Sequence, residues 1–137
     1  MESEVLTPHG LMTGSLERLA EAGNDIVPRF YERFFALWPG QEANFHNRVS
    51  SRGLMVNDMV AMLLAQAEAA DWLPMILRAQ VSTHHDHGHI ELEHYRGALD
   101  LLVDVLGETA GPDWSDAEER AWREQAGGLF GLIARFY

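Results

Sequence analysis

Apolar residues recur at every third or fourth position along nearly the whole chain, a spacing that admits helices and little else. Ile26, Phe30, Phe34 and Leu37 share one helical face, and so do Leu92, Tyr95, Leu99, Leu102, Val103 and Leu106. Strict two-residue alternation is absent and β-branched residues are sparse, so no sheet is expected. The spacing predicts a first helix over residues 15–22, closed by Gly23, where a glycine readily takes the left-handed conformation that ends helices. Asn24 or Asp25 caps the second, which tolerates Pro28 in its first turn and stops before Pro39. The connection over residues 40–48 carries a single large apolar residue, Phe45.

Ser50 or Ser51 caps an apolar helix with Met55, Val56, Met59, Val60, Met62 and Leu63. Its methionine content suits a wall facing something greasy. Asp71 and Pro74 open the next helix, with Ile76, Leu77 and Val81 inward. A helix over residues 91–106 and a turn over 107–112 follow. Ser115-Asp116-Ala117-Glu118 reads as a capping box before a last helix with Ala121, Trp122, Leu129, Leu132, Ile133 and Phe136 inward. The expected class is all-α, six to eight helices around one core. At 137 residues the chain suits a single domain.

With 21 acidic against 10 basic residues, the net charge is −11. Nucleic acid and anionic membranes need clustered Lys and Arg, so neither is an expected partner. There is no cysteine, hence no disulfide and no thiolate chemistry. The start, Met1 to Gly10, lacks the basic and apolar regions of a signal peptide. No run approaches the roughly 18 to 20 apolar residues of a membrane span, and a cytoplasmic location is expected.

Five of the seven histidines lie between His84 and His94. They admit three readings. One is a solvated helix end, where histidine complements the helix dipole and Asp86, Glu91 and Glu93 supply counter-charge. A second is a protein-only metal site. His85, His87 and His89 alternate, which converges on a strand but splays on a helix, and no HExxH or paired CxxC accompanies them. In the third, one histidine ligates haem iron.

The third reading draws support from elsewhere in the chain. Phe30-Tyr31, Phe34 or Phe35, Pro39 and Phe45 follow one another within IVPRFYERFFALWPGQEANF. Val81, His85, Ile90 and Tyr95 follow at fixed intervals, then Leu99, Leu102 and Val103, and finally Ala121-Trp122. This ordered set resembles bacterial single-domain globins and the globin domain of flavohaemoglobins. The resemblance implies a globin fold over residues 15–137 with an N-terminal extension over 1–14, built around haem b. It implies His85 as the iron ligand, with His84 as the other candidate because Gly88 lies four residues after it. Tyr95 matches the family tyrosine beside the proximal histidine, while the family's partner glutamate falls on Tyr137. Tyr31 matches the tyrosine that stabilises bound ligand. The usual distal position falls on Met55, with Met59 the nearby inward residue. Phe45 would pack against the porphyrin, and Arg48, Arg52 and His84 are candidates for its propionates.

Two distal arrangements follow. Either Tyr31 alone stabilises the ligand, or a methionine sulfur takes the sixth position of iron. The function the resemblance implies is reversible binding of O2, or of NO or CO, for transport, storage or sensing. Nitric oxide dioxygenation or peroxide turnover would require an external reductase. The alternatives are a globin-like sensor or interaction module without haem and a histidine-rich metal-binding helical protein. Gly127, Gly128 and Gly131 suit close helix packing within a monomer or across a homodimer.

Overall fold

The structure, a computed structural model, describes residues 7–41, 49–86 and 90–137, with 49–54, 85 and 86 in backbone only. Among these residues the chain is all-α, with no strand. The helices are α1 (Pro8–Glu21), α2 (Val27–Leu37), α3 (Val49–Glu68), α4 (Leu73–Asp86), α5 (Leu92–Ala110) and α6 (Asp116–Phe136). A 3-10 turn, Gly111–Asp113, joins α5 to α6. Phe45, Arg48, His87 and His89 lie outside the described residues, as do the side chains of Arg52 and His85.

α1 begins at Pro8, seven residues before the start that apolar spacing predicts. Thr7 caps it by accepting from the Gly10 N–H at 3.0 Å, and Pro8 sits in the first turn, where its missing N–H costs nothing. Met12, in the stretch expected to be an extension, is 0% exposed and belongs to the core. α2 is opened by Asp25, whose carboxylate accepts from the Val27 N–H at 3.0 Å, and ends at Trp38, before Pro39. α6 opens on the capping box that the sequence predicts: Ser115 Oγ accepts from the Glu118 N–H and the Glu118 carboxylate accepts from the Ser115 N–H.

α6 is the central helix and packs against α1, α3, α4 and α5. Its Trp122 is fully buried, with Leu129 and Ile133 following on the same side. The Trp122 Nε1–H donates to Ser15 Oγ at 3.0 Å, and that hydroxyl donates to the Met12 carbonyl at 2.6 Å. The carboxylate of buried Glu118 pairs with Arg18 of α1, so charge as well as packing fixes the α1–α6 crossing.

Three expectations of side-chain or helix placement change. Ile76 is 44% and Leu37 58% exposed, whereas Leu77 and Val81 are buried as expected. No turn starts at Gly107. α5 runs through it to Ala110, and a side chain there would meet the Trp114 indole, with Nε1 3.1 Å from an ideal Cβ. No helix among the described residues is long and apolar enough to cross a membrane.

Candidate cofactor cavity

α3, α4, α5 and α6 leave a cavity of about 770 Å³ between them. That volume lies within the roughly 300 to 1,000 Å³ of small-molecule and cofactor sites. Its walls are mostly apolar, with Leu77, Val81, Leu99, Leu129 and Ile133 forming the floor shared with the core. Ile76, the exposed residue of α4, borders it too. The unexpected exposure of Ile76 is therefore the exposure of a rim.

Polar groups reach the cavity from the start of α5 and the end of α4. His84 and Tyr95 both line it, and His84 Nδ1 lies 2.9 Å from the Tyr95 hydroxyl oxygen. The Nδ1–H can donate to the phenol oxygen or the phenol O–H can donate to Nδ1, and the first tautomer is the one in which Nε2 can act as a metal ligand. Burial, followed by the influence of Tyr137, pushes the Tyr95 phenol up to about 12. The Tyr95 ring meets the Tyr137 ring edge-on at 6.3 Å, and the Tyr137 hydroxyl donates to the Ile90 carbonyl at 2.9 Å. At the position where the family resemblance offers a glutamate, Tyr137 thus closes a chain of aromatic and hydrogen-bonded contacts from α4 to the entry of α5.

His94 was not singled out as a site residue by sequence reasoning, yet it lines the cavity. Its Nδ1 is buried without a hydrogen-bond partner. Such an atom ordinarily costs stability, and on a cavity-lining residue it is a candidate to meet a polar group on whatever enters, given a small shift of the ring. Trp38 lies 5.5 Å from the His94 ring, centroid to centroid, and is itself lodged against Gly97, where an ideal Cβ would fall 2.6 Å from the indole. The legible signal was the α5 period: His94 precedes Ala98, and Tyr95 precedes Leu99, by one turn, and all four line the cavity.

α3 contributes Met55, Asp58, Met59 and Met62. Spacings of four and three bring the methionines onto one helix face, and Met59, the middle one, is 7% exposed. Tyr31 is not among the lining residues. It is 3% exposed, with its ring 5.1, 6.0 and 5.4 Å from those of Phe30, Phe34 and Phe35. Of the sequence-nominated residues, the cavity thus unites Met55, Met59, His84 and Tyr95. Phe45 and the His85 side chain lie outside the described residues. No group of three or more His, Asp or Glu among the described residues is arranged to hold a bare metal ion.

An apolar slot walled by an imidazole, thioethers and a phenol has the donor set for a flat hydrophobic cofactor with a ligated metal. No protein-family model matches the chain, and a search of curated proteins finds no significant match.

Proposed function

We propose that this cavity takes haem b and that the chain is a globin-type haemoprotein binding a diatomic gas, O2 above all, reversibly at the iron. The observation that carries the reading is the coincidence of cavity and ligand. A slot of about 770 Å³ is bordered by His84, whose Nδ1 is already engaged by Tyr95 at 2.9 Å. Bound haem would supply the gas-binding metal. The chain would supply the rest. Leu77, Val81, Leu99 and Leu129 exclude water from the faces of the plate, His94 offers its unpartnered nitrogen to a polar edge group, and the aromatic pair Tyr95–Tyr137 fixes the histidine corner.

The resemblance to bacterial globins implies His85 as the iron ligand. The described geometry favours a second assignment, His84, because that imidazole lines the cavity and is held at Nδ1 by Tyr95. The experiment is an absorption spectrum of the purified protein, oxidised, reduced and reduced under CO, for wild type, His84→Ala and His85→Ala. A Soret band that shifts with CO supports the reading, and the variant that loses or alters it identifies the ligand. A protein that stays colourless with haem supplied overturns it and leaves a haem-free interaction module as the working description.

A further inference from the structure

The histidines and the methionines reach the cavity from different helices. His84 comes from α4, and His94 and Tyr95 from α5, whereas Met55, Met59 and Met62 come from α3. The 2.9 Å bond between His84 and Tyr95 ties the first group into one cluster. An iron held by this histidine corner would leave its other side to groups from the rest of the wall, α3 among them. On α3, the described residues at the cavity bring thioethers and one carboxylate, with no N–H or O–H group from a neutral amide or hydroxyl. Tyr31 does not line the cavity. Bound O2 carries partial negative charge and is stabilised by a donor; α3 offers none, and the cavity's neutral amides and aliphatic hydroxyl, Gln41, Gln80 and Thr83, stand on other segments. Thioether sulfur, by contrast, is a ligand of haem iron, and an unbranched side chain with three rotatable bonds can extend to reach one.

We propose that Met59 Sδ occupies the second axial position of the iron, so that a diatomic gas binds only by displacing it. Met59 is the central residue of the stripe and is 7% exposed, while Met55 and Met62 on either side of it are half-buried. The proposal rests on the haem reading above and turns an open gas site into a gated one, the behaviour of a sensor more than of a carrier.

The test uses the haem-loaded full chain. Resonance Raman and near-infrared magnetic circular dichroism report coordination number and a sulfur-to-iron charge-transfer band, and stopped-flow mixing reports CO association. Wild type is expected to be six-coordinate and low-spin with the sulfur band, and its CO association rate should plateau at high CO, where sulfur release limits it. Met59→Leu, close to isosteric and expected to fold, should lose the band, become five-coordinate when reduced, and bind CO with no plateau. Met55→Leu and Met62→Leu should keep the wild-type spectrum. A five-coordinate ferrous wild type overturns the proposal, as does a Met59→Leu protein that keeps the band or a Met55→Leu or Met62→Leu protein that loses it. In each of these the haem reading survives. Absence of any Soret band overturns both.

Discussion

Two buried ring nitrogens, one at each end of the bundle's interior, are treated in opposite ways. Trp122 Nε1, between α6 and α1, donates to Ser15 Oγ at 3.0 Å, and Ser15 passes its own proton to the Met12 carbonyl. Nearby, the Ser115–Glu118 capping box and the Arg18–Glu118 pair satisfy further polar groups. His94 Nδ1, at the cavity, has no partner. The first region is closed, because its polar groups satisfy one another and its apolar ones interlock. The second carries an open valence beside exposed Ile76 and three methionines. Among the described residues Thr109 Oγ1 is the other buried side-chain atom without a partner, and of the two only the His94 nitrogen belongs to a cavity-lining residue.

The largest expected break in this contrast is Trp122→Ala. It removes the largest fully buried side chain among the described residues and should lower unfolding stability by about 3 to 5 kcal/mol, read as a fall in urea midpoint. Ser15→Ala tests the paired nitrogen alone. It strands the indole N–H and should cost about 1 to 3 kcal/mol in the same assay. His94→Leu should go the other way in the haem-free protein, with no loss or a gain of about 1 kcal/mol, since no hydrogen bond is removed and an unsatisfied group is. A loss as large as that of Ser15→Ala would mean the two nitrogens are not treated differently at all.

The smallest effect is in pH. The Tyr95 phenol is held up to about 12 by burial and then by Tyr137, against 10.0 for a free phenol. Between those values the unfolded chain gives up its proton and the folded chain keeps it, so this group withdraws stability as pH rises from about 10 to about 12. An ultraviolet phenolate titration of the haem-free protein should show a late-titrating component that Tyr95→Phe removes.

How much of this was legible beforehand differs between the same two regions. The closed end was written locally. Ser115 and Glu118 at capping-box spacing, and the Ala121-Trp122 pair with Leu129 and Ile133 at helical intervals, need only one helix to be read. The open end depends on which helices stand next to one another. Periodicity placed Ile76 on the same side as Leu77, but it could not tell a core position from a rim. The run of histidines drew attention to His84 and His85, and His94 escaped because its meaning lies in a missing partner, which no spacing encodes. Gly107 suggested a turn, although a glycine inside a helix is equally a site where a neighbour comes close, here the Trp114 ring. Tyr31 has Phe34 and Phe35 as neighbours at helical spacing, but that it does not line the cavity could be settled only in three dimensions.

The lodging of Trp38 against Gly97 reaches beyond packing. An ideal Cβ at 97 would lie 2.6 Å from the indole, and the same indole flanks His94. A tryptophan at the end of α2 and the absence of a side chain on α5 therefore form a lock and its keyway, in which the keyway cannot be filled while the tryptophan stays. Among divergent descendants of this chain a side chain should appear at 97 only where 38 has become smaller. That paired inheritance offers a way to recognise kin whose histidines and methionines have been rearranged beyond recognition.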